Sequence, residues 1–163
     1  MDIGDLITYD DRQRMVPSDI EEMRAAVDGN ARGDTYRQLR SAGVGCITLG
    51  EYDRAFHLFE RARELADSDG RHLVLDMNIA DAHRYSGDPS KSERMLRDAL
   101  NRARRSHPEM VSFALQHLGK CLIDRQRLDE AREVLTEALD LRIDDGDASL
   151  IASTRAALAL AQR

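Results

Sequence analysis

Small residues recur along this chain at nearly constant intervals, and this recurrence limits the folds open to it. Gly43, Ala80 and Gly119 stand 37 and then 39 residues apart. Other positions keep the same two intervals: the small residues Ala55, Ser92 and Ala131, the small residues Ala62, Ala99 and Ala138, and the bulky residues Phe59, Leu96 and Leu135. Internal similarity at a period of about 20–50 residues is typical of stacked structural repeats. The chain therefore contains three similar units.

Each unit has the sequence of two helices joined by a tight turn. Gly50 and Gly87 supply the backbone freedom that a helix C-terminus needs, and Gln126 takes their place in the third unit. Three residues on, each unit has a side chain that favours a helix N-terminus. These expected N-caps are Asp53, Ser90 and Asp129.

The small residues have a steric explanation. Two antiparallel helices approach closely only where their side chains are small, so we expect Gly43 and Ala55 to lie where the first pair touches. Phe59 then fills the space beside that contact, and Ala62 lets the next unit dock. One helix pair cannot cover its own apolar faces, whereas stacked pairs bury a continuous core. The sequence therefore predicts an all-α fold of stacked antiparallel helix-turn-helix repeats, an α-solenoid.

The pattern resembles the tetratricopeptide repeat (TPR) family, whose signature is W-x2-L-G-x2-Y, then A-x3-F, then P. The matching residues are Leu39, Ala42, Gly43, Cys46, Ala55 and Phe59 in the first unit, Asp76, Ile79, Ala80, His83, Ser92 and Leu96 in the second, and Leu115, Leu118, Gly119, Leu122, Ala131 and Leu135 in the third. No unit has the Trp or the closing Pro, and the period exceeds the usual length of about 34 residues. The longer period is similar to that of TPR arrays in bacterial signalling regulators. The resemblance implies a right-handed superhelix.

The repeat fixes an expected domain layout. Residues 1–17 are expected to form an acidic, loosely ordered tail, and residues 18–163 a single TPR-like domain. Within that domain we expect the following segments: a helix at 19–28, repeats at about 36–70, 71–108 and 109–147, and a C-terminal helix at 148–162. The repeat helices themselves are predicted at 35–49, 53–67, 71–86, 90–106, 109–125 and 129–144.

Composition argues against several classes of function. The net charge of −6 gives no overall basic field for nucleic acid or an anionic membrane. No stretch reaches the roughly 18 apolar residues of a membrane span, and the first residues resemble no targeting signal. We therefore expect a cytoplasmic protein. Only two of the 24 basic residues are Lys, and this bias suggests a bacterial source.

No arrangement of residues indicates catalysis, a cofactor or a metal. Cys46 and Cys121 lack metal or redox spacing and are expected in the core. The five His lack the i,i+4 pairing of a metal site. No Gly-rich phosphate loop precedes a helix, and no nucleophile has an evident base. The sequence therefore predicts a protein that is not an enzyme and needs no cofactor.

The resemblance also implies where a partner binds. In a TPR array the first helix of each pair lines a concave groove, which takes a peptide or a partner protein. The candidate groove residues are Arg37, Arg40, Asn78, Asp81, Arg84, Tyr85, Phe113, Gln116, His117, Lys120 and Arg155. Some family members clamp a terminal carboxylate there. Arg40 and Asn78 match that arrangement, whereas Val44, Phe113 and His117 do not.

The leading hypothesis is a protein-interaction module, a scaffold or adaptor that performs no chemistry. One alternative is a regulatory segment of a bacterial signalling or transcription system that senses a ligand or peptide. Another is a structural protein that self-assembles, since Ala152, Ala156, Ala159 and Leu160 leave an apolar face on the C-terminal helix. That face makes a homodimer through residues 148–162 possible.

Overall fold

A computed structural model of the chain describes residues 2–163. Its contacts divide the chain into two compact units, Met1–Gly87 and Asp88–Arg163. In order, the elements of the first unit are a 3-10 turn at Ile3–Leu6, strands β1 (Ile7–Tyr9) and β2 (Met15–Pro17), and helices α1 (Ile20–Ala31), α2 (Tyr36–Thr48), α3 (Tyr52–Glu64) and α4 (Asp69–Tyr85). Those of the second are α5 (Pro89–Ser106), a 3-10 turn at Pro108–Met110, α6 (Val111–Asp124), α7 (Leu128–Asp145) and α8 (Ala148–Ala161).

All eight predicted helices are present, and their ends lie within three residues of the expected positions. Within each unit, every helix packs against the next one along the chain. In addition, α2 contacts α4 in the first unit, and α6 contacts α8 in the second. This is the packing of helix-turn-helix repeats, in which the first helices of successive pairs lie side by side. The predicted all-α repeat fold is thus confirmed. None of the described helices is long and apolar enough to cross a membrane.

The small residues lie where the helices touch. All nine repeated small positions and their bulky neighbours Phe59, Leu96 and Leu135 are buried. A Cβ added to Gly43 would overlap the Phe59 ring across the α2–α3 contact. In the second unit, a Cβ on Gly119 would overlap the Leu135 side chain between α6 and α7. The close approach predicted at Gly43 beside Phe59 is therefore confirmed, and Gly119 and Leu135 make the equivalent contact.

The turns inside the pairs share one backbone geometry, and it corrects the predicted caps. Gly50, Gly87 and Gln126 have φ of 73°, 100° and 60°. In each case one residue follows as the N-cap and the next helix then begins. Asp53, Ser90 and Asp129 therefore lie inside the first helical turn, and their prediction as N-caps is wrong. Because the residue with positive φ turns the chain sharply, only one residue separates it from the next helix. That helix therefore begins one residue before the position predicted as its N-cap.

The N-terminal segment also differs from the expectation of a loose tail. Strands β1 and β2 pair antiparallel, with Thr8 opposite Val16. The preceding 3-10 turn buries Ile3 and Leu6, which are 2% and 4% exposed, and packs against α1 and α2. The prediction of a loosely ordered segment is thus wrong, because two apolar side chains spaced three apart anchor it. We call residues 2–17 the N-terminal hairpin. The single domain over 18–163 stays a prediction.

Candidate functional site

The predicted groove residues of the first unit lie on α2 and α4, and two of them bind each other. Arg40 Nε donates a hydrogen bond to Asn78 Oδ1 at 2.9 Å. Both side chains are half-buried. The resemblance to a carboxylate clamp rests on these same two residues. The guanidinium of Arg40 is turned toward the amide of Asn78. Its other N–H groups could still donate to an acceptor on a bound partner.

A second group of predicted residues lies at the C-terminal end of α4. Asp81 and Arg84 are 4% and 5% exposed, and Arg84 Nε lies 3.5 Å from Asp81 Oδ1. The Arg84 guanidinium carbon also lies 4.7 Å from the centre of the Tyr85 ring, within the range of a cation–π contact. Asp81 and Arg84 therefore belong to the packed part of the molecule rather than to an open surface.

Tyr85 binds the N-terminal hairpin. Its hydroxyl accepts a hydrogen bond from the Met15 N–H at 2.7 Å, and the Arg14 guanidinium carbon lies 4.7 Å from its ring centre. Burial raises the pKa of Tyr85 to about 12, against the lowering effect of the Arg84 charge. The hydroxyl therefore stays protonated at neutral pH, and it can accept one bond while donating another.

Arg37 is the most exposed of the predicted residues on α2, with 82% of its side chain accessible. Its Nη2 lies 3.1 Å from Asp2 Oδ2 at the start of the hairpin. The pKa of Asp2 is lowered by a hydrogen bond from the Gly4 N–H and by the Arg37 guanidinium. So exposed a pair adds little stability, but it places opposite charges where the hairpin meets α2.

In the second unit, Gln116 belongs to a polar network between α6, α7 and α8. Arg142 is 2% exposed, and its Nη1 donates to Thr154 Oγ1 at 2.7 Å, to the Leu150 carbonyl at 3.2 Å and to Gln116 Oε1. Gln116 Nε2 in turn donates to Ser153 Oγ at 3.0 Å. Gln116 therefore joins α6 to α8, just as Arg40 and Asn78 join α2 to α4.

Phe113 is a predicted groove residue with a large, exposed apolar side chain. Its ring is 39% exposed, and it lies 4.9 Å from the guanidinium carbon of the buried Arg142. His117 and Lys120 follow on α6 and are half-buried, while Arg155 on the neighbouring α8 is exposed. The second unit thus presents an aromatic side chain and cationic side chains on two helices that pack together.

The sequence reasoning missed two features of these faces. Arg142 is fully buried, whereas charged side chains usually lie at the surface. Its burial could be expected only from its helical spacing to the other core positions of α7. The N-terminal hairpin was missed because its three-residue strands are too short to show periodicity. Its apolar pair Ile3 and Leu6 was the available signal.

An ionic cluster lies elsewhere on the second unit. Glu93 on α5 is 5% exposed. It pairs with Arg97 at 2.8 Å, with Arg127 at 2.7 Å and, at shorter range, with Arg125. Burial alone would raise the pKa of Glu93, but hydrogen bonds from Arg97 and Arg125 and the charge of Arg127 lower it overall. Glu130 binds two of the same guanidiniums. The cluster joins α5 to the turn between α6 and α7.

Both cysteines lie in the core. Cys46 and Cys121 are both buried and neither forms a disulfide, and burial raises the pKa of the Cys46 thiol to about 12. A thiol with so high a pKa is a poor nucleophile at neutral pH. Within residues 2–163, no group of three or more His, Cys, Asp or Glu side chains is arranged to hold a metal ion.

The fold and the paired first helices define a helical repeat protein. Comparison with protein families is consistent with this class: two family models, both described as tetratricopeptide repeat, match residues 77–109 and 114–149. Tetratricopeptide repeats are thus shown over residues 77–109 and 114–149 of the chain. Residues 36–64 precede both matches, and their Gly43–Phe59 contact has the geometry of Gly119–Leu135 in the matched part. A search of curated proteins found no match.

Proposed function

We propose that this protein is an interaction module that binds a peptide or a partner protein through the groove-facing side chains of its first helices. Tetratricopeptide repeats generally mediate protein–protein interaction. The observation that carries the proposal here is the 39% exposure of Phe113, one of the predicted groove residues. Large exposed apolar side chains next to cations are typical of the anchoring positions of interfaces.

The chemistry of this face limits its partner. Phe113 offers an apolar contact, and Arg155 and Lys120 offer positive charge, so the face suits a segment with an apolar side chain close to a carboxylate. Binding of this kind is an equilibrium on a preformed surface and requires no reaction. The role of a cytoplasmic adaptor or scaffold is part of this proposal, as is a partner that is protein rather than nucleic acid.

Selection of short random peptides against the full chain tests the proposal. Selected peptides should bind the Phe113→Ala and Arg155→Ala variants about tenfold more weakly or worse, a loss of about 1.4 kcal/mol per tenfold. Ile143→Ala is the matched control, because Ile143 is 47% exposed on α7 and is not among the predicted groove residues. Circular dichroism verifies that the variants keep their helices. Equal losses in all three variants, or no selectable peptide, would refute the proposal.

Self-association through α8 is the second candidate. Ala152 and Ala159 are exposed and Leu160 is half-exposed on this helix, which leaves an apolar face available to another copy of the chain. Light scattering across a range of protein concentrations tests it. A mass that rises toward that of a dimer, and returns to that of a monomer in Leu160→Glu, would support the homodimer.

A further inference from the structure

The N-terminal hairpin contacts two of the predicted groove residues of the first unit, Tyr85 and Arg37. Met15 donates its N–H to Tyr85, and Arg14 stacks on the same ring. At the other end of the hairpin, Asp2 pairs with Arg37. Both Arg37 and Tyr85 are among the predicted groove residues, one on α2 and one on α4. Two side chains predicted to bind a partner are thus contacted by the chain's own N-terminal residues.

The contacts of Arg14 and Met15 have the form of peptide recognition. Strand β2 is extended, and one of its main-chain N–H groups is used by a side chain of the receiving helix. The guanidinium of Arg14 supplies a cation to the Tyr85 ring at 4.7 Å. Main-chain bonding with one charged side chain in a specific contact is how extended peptides are commonly held.

The hairpin is held unevenly along its length. Ile3 and Leu6 are buried against the first unit, and the carbonyl of Leu6 accepts bonds from both Ser18 N–H at 2.8 Å and Ser18 Oγ at 3.1 Å. The Arg14–Met15 end is fixed to α4 by the Tyr85 hydroxyl and ring. The Arg14–Met15 end is thus held by one hydrogen bond and one cation–π contact to Tyr85, whereas burial anchors the Ile3–Leu6 end.

We propose that residues 14–15 of the N-terminal hairpin mask a peptide-binding face on the first unit, and that this face takes an extended segment whose arginine replaces Arg14 on Tyr85. The proposal rests on the proposed function and adds the partner's chemistry and its control. The masked state is the resting state. A partner gains access by displacing the hairpin end, and its apparent affinity falls with the fraction of molecules in which the face is open.

The size of the masking effect follows from tethering. A segment joined by a short connection has an effective concentration of about millimolar. If the free segment binds with a dissociation constant of about 0.1 mM, a competitor meets roughly tenfold weaker apparent binding. Removing the contacts of residues 14 and 15 should therefore strengthen the competitor's apparent binding about tenfold.

The test compares full-length proteins by NMR titration with a synthetic peptide of residues 7–17 as the probe. The double variant Arg14→Ser/Met15→Pro removes both the guanidinium and the N–H that hold the hairpin end. Arg12→Ser is the matched control, because it makes the same change of charge at an exposed residue of the hairpin turn. If the double variant does not fold, Arg14→Ser alone is measured by the same criterion.

We expect the peptide to bind the double variant about tenfold more tightly than it binds the wild type or Arg12→Ser. The binding should be lost when Tyr85→Ala is added, or when the peptide carries Ser in place of its Arg14. Equal binding to wild type and double variant would overturn the masking. No binding to the double variant at millimolar peptide would overturn the site itself. In both cases Phe113-dependent binding of selected peptides would leave the proposed function standing.

Discussion

Gly119 and Leu135 meet so closely that a single methyl group on Gly119 would overlap the Leu135 side chain. Both residues are buried, on α6 and α7 respectively. Gly43 and Phe59 stand in the same relation on α2 and α3. Helix pairs of this protein thus approach to a distance set by a missing side chain on one helix and a bulky one on the other.

Gly119→Ala should therefore lower the free energy of unfolding by about 1–3 kcal/mol, because extra volume in a packed core forces its neighbours aside. Leu135→Ala alone should cost about 2–5 kcal/mol through the cavity it leaves. In the double variant the two costs should not add, since each change relieves the other. Chemical denaturation of the four proteins measures the coupling.

Gly29→Ala is the control for that experiment. Gly29 lies in α1 with no atom within 4 Å of an added Cβ, so the substitution should stabilise the protein by about 0.4–1 kcal/mol. If the losses of unfolding free energy at Gly119 and Leu135 were additive while Gly29→Ala stabilised the protein as expected, position 119 and the Leu135 side chain would not be in contact.

Ser92 occupies a small-residue position of the repeat with a hydroxyl that the packing does not use. The residue is fully buried, and its Oγ has no hydrogen-bond partner among residues 2–163. Alanine stands at the equivalent positions 55 and 131. A buried hydroxyl without a partner costs roughly 1–3 kcal/mol, so Ser92→Ala should raise the free energy of unfolding by about 1 kcal/mol. Thermal melts of this variant and of the exposed-site control Ser90→Ala measure the difference, and a loss at Ser92 would contradict the structure.

Glu93 makes the free energy of unfolding depend on pH in the acidic range. Its pKa is lowered in the folded protein by the surrounding arginines, despite its burial. A lowered folded pKa adds stability above the unfolded value of about 4.3, and that stability is lost as the pH falls through the folded pKa. Glu93→Gln should therefore cost about 1–3 kcal/mol at pH 7.

The cost of Glu93→Gln should shrink as the pH is lowered below about 4, because the wild-type carboxylate becomes neutral as well. Urea denaturation at several pH values measures it. Glu137→Gln is the control, since Glu137 pairs with Arg104 with 46% of its side chain exposed, and it should cost no more than about 1 kcal/mol. A Glu93→Gln cost that stays constant down to pH 3 would contradict this account.

The repeat could be predicted because small residues recur wherever two helices must pack closely. Where helices must touch, only Gly, Ala or Ser fits, and the positions of Gly43, Ala80 and Gly119 set the register of all the later helices. Helix limits followed from turn residues such as Gly50 and Gly87, whose left-handed backbone the sequence indicated correctly.

The repeat could not show which other residues of the chain contact the predicted groove residues. Groove-facing positions follow from the register, but their contacts depend on what the rest of the chain places there. Tyr85 was identified as a partner-binding residue and bonds the chain's own Met15. Likewise Gln116 was predicted to face a partner and instead accepts a hydrogen bond from the buried Arg142. Polar pairs between residues distant in sequence leave no periodic signal.

The amide hydrogen of Met15 provides the most direct test that the N-terminal hairpin covers the first unit. Because this N–H bonds the Tyr85 hydroxyl at 2.7 Å, its exchange with solvent should be slow in the wild type. Tyr85→Phe keeps the ring and removes the acceptor, so exchange at Met15 should become at least about tenfold faster while the core amides of α2 and α4 stay protected. Equally fast exchange at Met15 in both proteins would show that the hairpin does not lie on α4.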